Sequence, residues 1–463
     1  MRSESISSSG PAGAAGDAPA GESWWRSLTR EQWLVFFAAT LAWVFDCFDQ
    51  QIFNLARDGA MEDLLADKTK ATVFGPYTTS MFLIGWAIGG LFFGPLADRF
   101  GRARMLKITI LLYSVSTGLN SLSTGFFDFC LWRLLAGIGI GGVFGVAVAL
   151  VADSLPDRAR ATALGLMQAF GALGNLAAGL TGMAFGRLSA SHGLPFHLRQ
   201  WQALFLVGAL PALLCLLAMR RVREPAKWVS AREEGSKRGV KFGSYRSLLG
   251  DRRWRKNAWL GLVVCSAGII GLWGVGNFHP KIVGSIVDQE MAARHLSSEA
   301  MASQRGFWRS AGLLLQNIGA FSGLLLFTKL AQVIGRRIAL GVALLQSFLS
   351  TVLVFKYMRH TGQMYWMLPG MGFGQLAVFG VYAIYLPELF PTSLRSTGVS
   401  FCYNIGRIIA ATAPFTVSQI TARLGGDMES FRSAGLWVSL VLLCGIVVLP
   451  MMPETKDQQL PED

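Results

Sequence analysis

Asp153-Ser154-Leu155-Pro156-Asp157-Arg158-Ala159-Arg160-Ala161-Thr162 and Glu388-Leu389-Phe390-Pro391-Thr392-Ser393-Leu394-Arg395-Ser396-Thr397 are one decapeptide in outline, with an acid, a proline, an arginine and a threonine in register. A shift of similar length lays Leu96-Ala97 and Gly101-Arg102 over Leu330-Ala331 and Gly335-Arg336. Both matches fall in short charged segments between apolar runs. The chain therefore reads as a half-length unit written twice.

Apolar runs flank these segments near 33–55, 72–96, 105–122, 127–152, 161–186 and 200–219, and again near 257–280, 307–330, 338–355, 363–387, 396–420 and 433–452. At ~1.5 Å rise per residue, each is long enough to cross a ~30 Å hydrocarbon layer as a helix. Hydrophobic residues make up 52% of the 463 residues, charged residues only 15%, and mean hydropathy is +0.42. Soluble proteins carry about 25% charged residues. The expected fold is an all-α membrane protein with twelve transmembrane helices in two pseudo-symmetric six-helix bundles, 31–219 and 257–452. A disordered cytoplasmic tail is expected over 1–30, which is rich in Ser, Gly, Ala and Pro, a basic cytoplasmic linker over 220–256, and a cytoplasmic tail over 453–463.

Lys and Arg number 42 against 28 Asp and Glu, a net charge of +14. With the N-terminus inside, 27 basic residues fall on the cytoplasmic side and 13 outside, and Arg133 and Arg407 lie within spans. That bias is the positive-inside pattern, which puts both termini in the cytoplasm; the expected location is the plasma membrane (the inner membrane in a bacterium). The charges punctuate apolar runs and form no continuous basic face, so the reading is lipid and not nucleic acid. The sequence holds no GxxxxGK[ST] loop, HExxH pair or GxSxG elbow, and none of its six cysteines is in CxxC spacing. No enzyme activity, cofactor, metal site or disulfide framework is expected.

Inside the apolar layer, an ionisable side chain is expensive and marks function. Asp46 and Asp49 share a helix face with Gln50 and Asn54 in the first span. Counted from the outer end of their spans, Asp46 lies ~12 Å, Asp49 ~8 Å and Arg133 ~9 Å deep, which permits pairing. Burial favours a protonated carboxyl and a nearby guanidinium an ionised one. Making and breaking such a contact can therefore load and release a proton, with Asp46 or Asp49 as carrier and Arg133 as gate. Arg407 lies ~16 Å deep beside Tyr403 and Asn404, with no acid on its own helix. Its planar fork suits a carboxylate, either that of an anionic ligand or of Asp46 or Asp49 across a cavity. Gln168, Asn175, Asn277, Gln316 and Gln375 offer neutral hydrogen bonds, and Trp273 a stacking face; helix–helix bonding is the alternative role for each. The glycines of Gly137-Ile138-Gly139-Ile140-Gly141 fit close helix packing.

Gly94-Pro95-Leu96-Ala97-Asp98-Arg99-Phe100-Gly101-Arg102 and the Arg133–Gly141 stretch resemble the major facilitator superfamily. Arg223-Glu224-Pro225-Ala226-Lys227-Trp228, Pro387–Arg395 and Pro453-Glu454-Thr455-Lys456 are similar to its sugar-porter and metabolite:proton symporter branch. Span 7, Gly271-Leu272-Trp273-Gly274-Val275-Gly276-Asn277-Phe278-His279-Pro280, lacks the Gln-Gln pair of hexose porters and is closer to organic-acid and aromatic-acid symporters. The resemblance implies that Asp98, Arg99, Arg102, Asp153, Arg160, Glu388 and Arg395 form a cytoplasmic latch, weakened where Gln332 stands in place of Asp98. It implies a transporter, functional as a monomer, that couples entry of protons to uptake of a small anionic organic acid held by the polar residues above. A sugar or polyol symporter is the alternative, and a non-transporting membrane nutrient sensor is the alternative of another class.

Overall fold

The computed structural model describes residues 25–26, 28–65, 71–191, 198–292 and 298–461. The expected tail over 1–30 thus lies almost wholly outside the described residues. The first half comprises α1 (Arg30–Leu64), α2 (Ala71–Phe100), α3 (Arg102–Asn120), α4 (Phe126–Ser154), α5 (Asp157–Ser191) and α6 (Gln200–Met219). Thr29 opens α1 with a capping box to Gln32. Two short helices follow, α7 (Ala226–Arg238) and α8 (Tyr245–Gly250). In the second half, the seventh span starts as α9 (Arg252–Ile269), tightens through a π-helical turn at Ile270–Val275 and a 3-10 turn at Gly276–Phe278, and resumes as α10 (His279–Ala292). Glycines at 271, 274 and 276 weaken the regular helix there. α11 (Ser298–Ile334), α12 (Arg336–Val352), α13 (Met364–Glu388), the broken pair α14 (Arg395–Ala410) and α15 (Ala413–Leu424), and the pair α16 (Met428–Ser439) and α17 (Val441–Val448) complete the twelve crossings.

Ten of these crossings are long and apolar enough to be recognised by length and composition alone. The other two are α3, whose first turns carry Arg102, Arg104 and Lys107, and α14–α15, which breaks at Ala411–Thr412 and carries Arg407. Outward stripes are aliphatic and aromatic: Ile84, Ile88 and Phe92 on α2, and Leu173, Leu176 and Leu180 on α5, are about half exposed, as a hydrocarbon-facing surface requires.

Glycine lets pairs of helices touch backbone to backbone. A Cβ on Gly89 would stand 1.9 Å from the Ile138 carbonyl oxygen, and one on Gly137 2.2 Å from that of Phe82, so α2 and α4 are knitted along their length. The second half repeats this seam between α11 and α13, where Gly319 meets the Pro369 carbonyl at 1.9 Å and Gly372 that of Gln316 at 1.9 Å.

The expected linker is a helical strap. Trp228 donates to the Asp98 carbonyl (2.9 Å), Arg232 to that of Arg99 (2.6 Å) and Tyr245 to that of Leu91 (2.6 Å), while the Gly243 amide donates to the Ser393 carbonyl (3.0 Å). It therefore touches both halves. On this linker face, one continuous apolar core draws on both halves, including Phe93, Val148, Leu164, Phe327, Tyr382 and Val399. Toward the opposite face the core divides. Phe48, Ile52, Phe129 and Phe205 form one cluster within the first half, and Val283, Phe355, Leu368 and Phe431 another within the second. The halves are thus joined at the linker face and packed separately beyond it.

Candidate functional site

The charged segments of the linker face meet across the two halves with two-fold regularity. Asp153 pairs with Arg102 of its own half (3.1 Å) and with Arg395 of the other. Glu388, its counterpart, pairs with Arg336 of its own half (3.1 Å) and with Arg160 of the other (3.5 Å). Asp98 also pairs with Arg102 (3.1 Å), and its carboxylate sits on the N-terminus of α14, accepting from the amides of Ser396 (3.1 Å) and Thr397 (2.7 Å) and the Thr397 hydroxyl (2.7 Å). At the equivalent place in the repeat, Gln332 and Thr162 make a neutral hydrogen bond (3.1 Å).

Six of the seven expected latch residues are therefore assembled in one interface, and Arg99 is not. Its side chain points outward over the Phe100 ring, because the helix turn that buries Asp98 and Arg102 rotates Arg99 into solvent. Sequence reasoning missed Arg336, although the repeat lays it over Arg102. It also missed the reason for the two Glu-bearing marks. Glu224 accepts from the amides of Ala103 and Arg104, and Glu454 from those of Arg336 and Arg337. Each caps the helix that follows a glycine of positive φ, Gly101 (112°) or Gly335 (99°).

The two membrane carboxylates are both fully buried and have different partners. Asp49 accepts from the Thr117 hydroxyl (2.6 Å) and faces the Arg133 guanidinium at 3.8 Å. Arg133 donates to Thr117 (3.2 Å), meets the Asn120 amide oxygen (2.9 Å), and lies over the Phe53 and Phe205 rings at 5.2 and 4.8 Å. This cluster sits inside the first half, between α1, α3, α4 and α6. The depths of Asp49 and Arg133 permitted their pairing, while Thr117 and Asn120 were marked only by their spacing, three apart on α3.

Asp46 takes one hydrogen bond, from Gln50 (3.0 Å), and its Oδ2 has no hydrogen-bond partner. Its opposite charge is Arg407, with which it interacts electrostatically without an ion pair. Arg407 lies over the Trp86 ring at 3.5 Å and the Tyr403 ring at 4.4 Å, and its Nη1 has no hydrogen-bond partner. Trp86 meets Trp273 edge to face at 6.4 Å, and Tyr403 stacks on Phe144 at 4.1 Å. Arg407 is therefore held by aromatic faces from both halves. Trp86 and Phe144 were not foreseen, since nothing in their spacing separates them from packing residues.

The neutral candidates divide. Asn404 donates within its own helix to the Ser400 carbonyl (3.0 Å) and packs on Gly90, leaving its Oδ1 without a partner, and the buried Gln168 has a free Nε2. Asn175 is half-buried on α5. Gln316 donates to Gln375 (3.3 Å), and Gln375 to Thr351 (3.0 Å), so these two bind helices together within the second half. The side chain of Asn277 lies outside the described residues. Asn54, expected on the Asp46 face, is exposed and donates to Gln51 (3.2 Å). His279, near the outer end of span 7, is buried against the Gly276 carbonyl (3.0 Å) and not at a lipid–water interface.

A profile of the Major Facilitator Superfamily matches residues 33–287, more than half of the chain, and one described as "Sugar (and other) transporter" matches residues 367–462. The chain belongs to the major facilitator superfamily, and so to membrane transporters and not to enzymes. It is 29% identical to the cis,cis-muconate transport protein of Acinetobacter baylyi, over 89% of this chain and 92% of that one. It is 23% identical to the sialic acid transporter NanX of Escherichia coli, over 91% and 95% of the two chains. Its fold superposes on the proton:xylose symporter XylE of E. coli with a TM-score of 0.68 at 16% identity, covering 93% of this chain and 98% of that one.

Proposed function

We propose that this transporter carries small organic acids into the cell by proton-coupled symport, its two halves rocking around a central site in alternating access. The observation that carries the reading is Arg407: a guanidinium deep in the membrane, held on aromatic faces from both halves, with a donor left over and no carboxylate in ion-pair reach among the described residues. A ligand carboxylate satisfies that donor, with Tyr403, Asn404, Gln168, Asn175 and Trp273 as its further contacts. The names of relatives that carry muconate and sialic acid support an acid as cargo.

In this reading Asp46 or Asp49 carries the proton and Arg133, which faces Asp49, is the gate. The pairs on the linker face hold that side shut in one of the two states. The linker face and both termini are cytoplasmic, in the plasma membrane, and one chain suffices. The test is uptake into vesicles with an imposed acid-outside gradient, using benzoate, cis,cis-muconate, sialic acid and hexoses. Accumulation of an acid is expected, and its loss in Asp46→Asn and Asp49→Asn. Hexose accumulation without that of any acid would favour the sugar-porter reading that the second profile match suggests.

A further inference from the structure

The two carboxylates of α1 are unequally supplied. Asp49 has a hydroxyl donor and a guanidinium that is itself pinned by Thr117, Asn120 and two rings, so its negative charge is matched whatever occupies the central site. Asp46 has one neutral amide donor, a bare Oδ2, and a share in Arg407. Arg407 in turn has a bare Nη1. Other ionisable groups near Asp46 are Cys47 and Asp49 on its own helix and Tyr113 from α3, while Tyr403 from α14 lies beside Arg407. Arg133 from α4 is engaged by Asp49, and the Cys215 thiol from α6 is directed at the Ala38 carbonyl. The described stretches of α2 and α5 bring no ionisable side chain to this depth. Among the described residues, Arg407 is therefore the one fixed positive charge available to both Asp46 and an incoming anion.

Resting on the function proposed above, we infer that Arg407 exchanges counter-ions, from Asp46 in the empty carrier to the ligand carboxylate in the loaded one, so that each monocarboxylate enters with one proton and no net charge. The step balances. Arg407 stays cationic throughout. When the ligand takes its field, Asp46 accepts a proton from a hydronium ion of the outer solution, which reverts to water, forming an O–H bond at Oδ2 while Oδ1 keeps the Gln50 bond. The site sums to zero before (Asp46 minus, Arg407 plus) and after (ligand minus, Arg407 plus, Asp46 neutral). A low-dielectric interior penalises any other occupancy, because an unmatched buried charge is costly.

The probe is labelled benzoate with the full-length protein in proteoliposomes, the membrane potential being clamped by potassium and valinomycin. Accumulation is expected to follow the pH gradient, with one proton per benzoate by an internal pH dye, and to be the same at zero and at 100 mV inside-negative. Movement of one net charge would instead change accumulation by about 50-fold per 100 mV, and that result would overturn the exchange while leaving proton-coupled acid transport standing. Absence of uptake of benzoate and of every other acid under any gradient would overturn both. A second measurement uses tryptophan fluorescence, reported by Trp86 under Arg407 and by Trp273 against Trp86. Benzoate affinity in the wild type should fall about tenfold per pH unit where the empty carrier has Asp46 ionised, and Asp46→Asn should flatten that slope. An unchanged slope in Asp46→Asn would refute the assignment.

Discussion

Asp98→Asn tests the interface on the linker face most directly. The carboxylate accepts three hydrogen bonds from the start of α14, at 2.7–3.1 Å, and pairs with Arg102 at 3.1 Å, all out of solvent. An asparagine retains one acceptor oxygen and turns an NH2 group toward backbone amides that also donate. About two charge-assisted bonds are lost at ~1.5 kcal/mol each, so the closed arrangement loses about 3 kcal/mol. At 1.4 kcal/mol per tenfold, that is a shift of about 100-fold toward separation of the halves at this face. Nitroxide labels at Arg104 and Val333, both exposed near the linker face in opposite halves, report it by electron–electron distance measurement in a background without the native cysteines. A longer distance should gain population in Asp98→Asn. If the distribution matches the wild type, the carboxylate does not hold the halves together and the latch argument fails.

Arg407→Lys keeps the charge but loses the planar fork and its fit between Trp86 and Tyr403, so acid affinity should fall by roughly 10- to 100-fold in a fluorescence titration. Undiminished affinity would place the ligand elsewhere. Gly89→Ala drives a Cβ into the Ile138 carbonyl and should lower the thermal midpoint in detergent by the equivalent of about 1–3 kcal/mol, whereas Gly370→Ala, with nothing within 4 Å, should be neutral or stabilising. Burial raises the pKa of Glu454, but the amides of Arg336, Lys456, Arg337 and Thr455 outweigh it and hold the carboxyl below its ordinary 4.5. Its contribution is therefore complete above that value and disappears as pH falls through the lower, folded pKa. Glu454→Gln should accordingly be less stable than wild type at neutral pH, by the ~1 kcal/mol of a helix cap, and the gap in midpoint should close in acid. A gap independent of pH would deny the carboxylate that role.

What the residues disclosed follows from which interactions are local. Repeats, apolar length and the depth of Asp46, Asp49, Arg133 and Arg407 are properties of a single span, and each could be counted. Partner choice between spans could not. Depth alone allowed either aspartate to meet Arg133; Thr117 and Asn120 on a third helix select Asp49. Gln316 and Gln375 have the composition of ligand residues, yet their geometry joins α11 to α13. Arg99 shows the converse: it sits in the motif, but helical rotation carries it away. The break in span 7 was written in its glycines, while the placement of Trp273 against Trp86 depended on how the two halves meet.

The glycine seams have a mechanical corollary. Where two helices press carbonyl against backbone over several turns, no side chain lies between them to yield, so α2 with α4, and α11 with α13, behave as stiff plates. A displacement started at the charged edge near Asp98 would then be carried along the plate instead of being absorbed between its helices. In the transport cycle proposed above, a molecule bound beside Trp86 and Arg407 would therefore act on both ends of the plate at once.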